Sequence, residues 1–116
     1  MRYLIAGSKN DFSEDIVYDA LSELTSKDEV LITASSPVED IAARISFEVG
    51  ASLKTEDPDN ALQGTFAKEY SLNKLAKNAD VMIVFYSNES DEAFKKFVEI
   101  AANNSIELRT YKNIKN

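Results

Sequence analysis

The sequence predicts an α/β domain of three layers, with a mainly parallel, Rossmann-like five-stranded sheet in the order 3-2-1-4-5 between two layers of helices. Short apolar runs alternate with stretches of helical spacing, the pattern of strands joined by right-handed crossover helices. Val81-Met82-Ile83-Val84-Phe85-Tyr86 sets six bulky apolar residues in a row, as a strand buried on both faces requires. A strand, polar turn and helix occur twice in the first half of the chain, a repeat of architecture without repeat of sequence.

Tyr3 to Ala6 reads as a short buried strand, closed by the loop Gly7-Ser8-Lys9-Asn10-Asp11. Ser13 is placed to cap a first helix and Phe12 and Val17 to staple it, with Ile16, Val17, Ala20, Leu21 and Leu24 along one face. Ser26-Lys27-Asp28 ends that helix, and Val30-Leu31-Ile32 is the second strand. Ser36-Pro37-Val38-Glu39 opens the second helix with Ser at the cap, Pro at the first position and Glu at the third. Ile41, Ala42, Ile45 and Val49 form its buried stripe, Gly50 is its left-handed stop, and Ala51-Ser52-Leu53 is a short third strand.

Residues 54–65 read as an irregular loop around Pro58 and Gly64. Phe66, Tyr70, Leu72, Leu75 and Ala76 support a third helix, and Val81 to Tyr86 the fourth strand. Ser87-Asn88-Glu89-Ser90 then turns into a fourth helix with the stripe Phe94, Phe97, Val98 and Ala101. Ser90 is the cap expected there, Ile106 to Leu108 the last strand, and residues 112–116 a loose C-terminal tail.

At 116 residues and 44% hydrophobic, the chain has material for one core, so residues 1–116 are expected to form a single domain. Cys and His are absent, which excludes disulfides, thiol nucleophiles and the usual nitrogen and sulfur metal sites. An all-oxygen Mg²⁺ site remains compatible with the composition, although no cofactor is required. The formal charge of -7 disfavours general nucleic-acid binding. No segment approaches the roughly 18 apolar residues of a membrane span, nor is there a signal-peptide pattern. The expected location is the cytoplasm, or a host cytoplasm for a virus-encoded protein.

In an open parallel sheet, ligands bind beyond the C-terminal ends of the strands, where helix N-termini present free amides. The loops expected there offer Gly7, Ser8, Lys9, Thr33, Ser35, Ser36, Tyr86, Ser87, Asn88 and Ser90 as ligand-binding candidates. Capping is the competing role for Ser13, Ser36 and Ser90. Lys9 and Arg44 are the cations best placed in sequence, amid Asp11, Glu14, Asp15, Glu39, Asp40, Glu89, Asp91 and Glu92. Carboxylates at helix N-termini stabilise the helix dipole and repel phosphate. Asp11 and Glu89 are the candidate general bases if carboxylate-only hydrolysis occurs. Tyr18, Tyr70 and Tyr86 could stack on a ligand ring.

Tyr3-Leu4-Ile5-Ala6-Gly7-Ser8-Lys9-Asn10-Asp11-Phe12 resembles the opening strand and Gly-Ser/Gly-Arg-Asp-Phe loop of the YspA-like branch of the SLOG superfamily. Val30 to Gly50, with Ile41-Ala42-Ala43-Arg44, is similar to its second strand and helix, and Ala79-Asp80 before Val81 to its Ala-Asp and hydrophobic strand. The likeness covers nearly the whole chain. That resemblance implies a Rossmann-like domain binding a nucleotide-derived small molecule, in a superfamily that includes phosphoribohydrolases and commonly pairs. The glycines depart from the pattern: Thr33-Ala34 stand for Gly-Gly, Pro37 for Gly, Glu39 for Asp, and Tyr86 to Asp91 for Pro-Gly-Gly-x-Gly-Thr. Side chains and negative charge where a backbone should approach phosphate argue against catalysis.

The expected function is therefore binding, sensing or sequestration of a nucleotide-derived molecule without catalysis. The alternatives are an acidic interaction module that has lost the ligand site, and a nucleoside-monophosphate N-glycoside hydrolase. A homodimer is expected through part of the second or fourth helix, from Ile45, Phe47 and Val49 or from Phe94, Phe97, Val98, Ala101 and Ala102.

Overall fold

The computed structural model describes residues 1–7, 14–33, 36–56 and 65–112; within 65–70 it describes the backbone only. Nine elements alternate along the chain: β1 (Arg2–Gly7), α1 (Glu14–Ala20), β2 (Glu29–Ile32), α2 (Pro37–Val49), β3 (Ser52–Thr55), α3 (Thr65–Ala76), β4 (Val81–Tyr86), α4 (Glu92–Asn103) and β5 (Glu107–Lys112). The strands form one parallel sheet in the order β3-β2-β1-β4-β5, as the alternation predicts.

Side chains of successive strand residues point to opposite faces, so the sheet divides the core in two. Ile5, Val30, Ile32, Ile83 and Phe85 pack with Val17 of α1, Leu21 and Leu24 beyond it, and Val38, Ile41, Ala42 and Ile45 of α2. Leu4, Ala6, Leu31, Met82 and Val84 pack on the other face with Leu72, Leu75 and Ala76 of α3 and Phe97, Ile100 and Ala101 of α4. β4 contributes to both clusters, which explains its unbroken apolar run.

Local chemistry sets most boundaries. Ser36 caps α2 by accepting the Glu39 amide, with Pro37 at the start of the helix. Gly50 is left-handed at φ 78°, its amide donating to Phe47 O while the Ala51 amide donates to Ser46 O, the Schellman pattern. Asp80 clamps the start of β4 to the start of β1: its Oδ2 accepts the Arg2 amide at 2.8 Å, and its own amide donates to Arg2 O at 2.9 Å.

Several boundaries and faces differ from expectation. α1 ends at Ala20, and Leu21 and Leu24 reach the core from the turn that follows. Val49 lies outside the buried stripe of α2, because the Schellman turn begins there and carries it into solvent. β3 starts at Ser52 and continues to Thr55; β5 runs on to Lys112, which pairs with Tyr86, so Lys112 belongs to the sheet rather than to a tail. Residues 113–116, Ser13 as a cap and the Phe12 half of the staple lie outside the described residues. Among the described residues no helix is long and apolar enough to cross a membrane.

Candidate functional site

The strand order places a topological switch point between β1 and β4. From β1 the chain winds outward through β2 to β3, then returns to the opposite side of β1 as β4. The helix that follows β1 packs on one face of the sheet and the helix that follows β4 on the other. A crevice between departing helices is the usual ligand position of such sheets.

On the β1 side the strand ends at Gly7, paired in register with Phe85. A Cβ on Gly7 would lie 2.9 Å from Val38 Cβ and 3.0 Å from its Cγ2. This glycine thus serves close packing of the first turn of α2 over the end of β1. Beside it, Thr33 leaves β2 fully buried, and its hydroxyl donates to Glu39 Oε1 at 2.9 Å. Glu39 is itself buried completely, and Ser36 almost so. Gly7, Thr33 and Ser36 are in this way gathered around the N-terminus of α2, with Glu39 and Val38 as the residues that join them.

By sequence, Glu39 is one of the carboxylates that stabilise helix ends. Its position three residues after a Ser-Pro cap marks it as part of a capping box, but only the fold shows the side chain sealed beneath α2 against Thr33. A buried carboxylate needs hydrogen bonds from its surroundings, and the Thr33 hydroxyl supplies one.

On the β4 side, Tyr86 stacks against Phe94 of α4, centroids 4.2 Å apart at 28°. Asn88 Oδ1 accepts both the amide and the hydroxyl of Ser90, at 2.9 and 2.8 Å. Those bonds form a local Asx-type turn, and the helix cap falls to Asp91, whose Oδ1 accepts the Ala93 amide at 3.0 Å. The expectation that Ser90 caps α4 is thereby corrected. Ser87 differs from its neighbours: its Oγ is buried and has no hydrogen-bond partner among the described residues. A buried hydroxyl left unmatched costs free energy unless something supplies the missing bond.

Other candidates are engaged elsewhere. Arg44 Nη2 donates to Glu14 Oε1 at 2.7 Å, an exposed pair tying α2 to α1, and the bond holds the guanidinium further above its already high range. Tyr18 donates to Glu48; burial and this carboxylate raise its phenol above the ordinary range. Glu89 is exposed in the turn before α4. Ser8, Lys9, Asp11 and Ser35 lie outside the described residues, as does the Tyr70 side chain. Among the described residues, no three carboxylates gather in an arrangement that could hold a metal ion.

No family model, curated protein or solved structure matches this chain.

Proposed function

We propose that this chain binds a nucleotide-derived small molecule, without catalysis, in the crevice beyond the C-terminal ends of β1 and β4. The observation that carries the reading is the switch point beside a buried Ser87 hydroxyl that is unmatched among the described residues. A ribose hydroxyl or a base edge would supply the missing hydrogen bond. The resemblance to SLOG proteins supports the ligand class, and Glu89, Asp91 and Glu92 at the start of α4 favour species with little phosphate charge.

A thermal-shift panel of nucleosides, nucleoside monophosphates, cyclic nucleotides and ribosylated metabolites tests this. A ligand at 100 times its Kd adds about 2.7 kcal/mol to the folded state. Ser87→Val should abolish the shift for any hit while leaving the unliganded melt close to wild type. Release of free base in the same incubations would instead support N-glycoside hydrolysis. No shift and no calorimetric heat across the panel would end the ligand reading.

A second reading, an interaction module, is favoured by a different observation. Phe47 is 87% exposed, with Val49 and Leu53 also open to solvent. Large apolar side chains left outside the core mark contact surfaces when they gather. A second copy of the chain is the partner this reading takes.

A further inference from the structure

β3 is the last strand on its side of the sheet, and among the described residues no chain pairs with its outer edge. The Ser52 amide donates to Asp28 O at 3.0 Å and the Glu56 amide to Ile32 O at 2.9 Å. Backbone groups alternate in direction along a strand, so Ser52, Lys54 and Glu56 face β2. Leu53 and Thr55 therefore turn their N–H and C=O groups outward. Such an edge is a template for another strand unless proline, a bulge or charge blunts it. All four residues of β3 are exposed, and Lys54 is the only charge among them.

Leu53 pairs in register with Val30, which belongs to the core under α1 and α2. Leu53 accordingly lies on the α2 side of the sheet, 45% exposed. Phe47 and Val49 occupy the last turn of α2, which leads through Gly50 and Ala51 directly into β3. Lys54 projects from the opposite face.

We infer that β3 pairs antiparallel with β3 of a second copy, about a two-fold axis through Leu53. Two-fold pairing sets one residue opposite itself. With Leu53 on the axis, its outward N–H and C=O exchange both bonds with Leu53 of the second copy, and the two side chains meet. Each Thr55 amide then donates to Ala51 O of the other copy; the Ala51 amide is already held by Ser46 O at 2.9 Å. Lys54 falls opposite Ser52. The competing register, centred on Lys54, opposes two ammonium groups directly and sets Leu53 against Thr55. Charge and apolar matching both select Leu53. The joined sheet is continuous across the two copies, with Phe47 and Val49 of each on the face that carries the leucine pair. The homodimer thus forms through the sheet edge rather than through a helix face alone. A four-residue edge gives a weak dimer, in the micromolar range.

This edge lies beyond β2, apart from the β1–β4 crevice, so failure of either proposal leaves the other standing. Sedimentation equilibrium should show a dimer that grows with concentration. Leu53→Lys, a change at an exposed position, should weaken association at least tenfold with an unchanged circular dichroism spectrum and melt. The chain has no cysteine, so introduced thiols report cleanly. Across a hydrogen-bonded antiparallel pair the Cα atoms lie about 5.5 Å apart, within disulfide reach. Leu53→Cys should form a covalent dimer under mild oxidation. Thr55→Cys, about 13 Å from its own copy in this register, should not. A single mass near 12.9 kDa at high micromolar protein overturns the proposal. So does a dimer indifferent to Leu53→Lys but lost in Ala102→Glu, which would locate the interface on α4. Equal cross-linking of the two cysteine variants overturns the register.

Discussion

Asp28 shows how one side chain joins local structure to stability. Its Oδ2 accepts the Thr25 amide at 2.9 Å just before β2, and its carbonyl accepts the Ser52 amide at the start of β3. The Thr25 bond, aided by the Met1 ammonium, holds its carboxyl below the ordinary aspartate range. A carboxyl depressed on folding stabilises the protein above its unfolded value, and that contribution is lost as pH falls through the lower folded value. Asp28→Asn should therefore cost about 1–2 kcal/mol at pH 7, and much less at a pH below the depressed folded value, where the wild-type group is protonated too. Urea unfolding at the two pH values measures this; an equal cost at both would assign the effect to shape rather than charge. Nothing in the residue types near Thr25-Ser26-Lys27-Asp28 distinguished this aspartate from any other helix breaker, because its partner is a backbone amide whose direction depends on the turn.

At the scale of elements, the ends of α2 were legible and the end of α4 was not. Ser36, Pro37 and Gly50 act within a few residues of themselves, so spacing alone locates them. α4 closes without glycine: Ser105 takes φ 54° while its amide donates to Ala102 O and the Ile106 amide to Ala101 O. A left-handed conformation costs an L-residue roughly 1–2 kcal/mol. Ser105→Gly should raise stability by about 0.5–1 kcal/mol after the added freedom of the unfolded chain is counted. A fall in the urea midpoint would show that the serine side chain has a compensating contact. The approach of α2 to β1 gives the opposite case. Gly7→Ala should destabilise by about 1–3 kcal/mol by pressing a methyl into Val38. In a Val38→Ala background the cost should shrink without vanishing, because the nearest atom is Val38 Cβ and remains. Strictly additive effects would mean that α2 does not meet the new methyl.

The whole molecule rests on two cores divided by the sheet, and residues count by their place between them. Leu4, on the central strand, is fully buried with α3 and α4 above it, whereas Leu108 on the edge strand is only partly covered. Leu4→Ala should cost about 2–5 kcal/mol and Leu108→Ala about 1 kcal/mol, read as shifts in urea unfolding. Similar costs would mean that β5 is buried more deeply than its exposure shows.

The alternation of strands and helices and the caps of α2 were determined by the sequence itself, because apolar period, proline, serine and glycine act over distances the chain carries locally; with right-handed crossovers that alternation narrows the strand order to a few choices. Tertiary structure decided the rest. β5 extends through Arg109, Thr110 and Lys112 because β4 offers it a ladder, not because its own residues form an apolar run. Glu39 is buried because Gly7 lets α2 settle onto β1 and Thr33 reaches its carboxylate, contacts between segments far apart in sequence. Ser90 yields the cap of α4 to Asp91: its hydroxyl is turned back to donate to Asn88 Oδ1, while Asp91 Oδ1 accepts the Ala93 amide. The Ser87 hydroxyl and the outward edge of β3 acquire their meaning only when neighbouring strands are in place, since whether a polar group is matched or open is a property of what surrounds it.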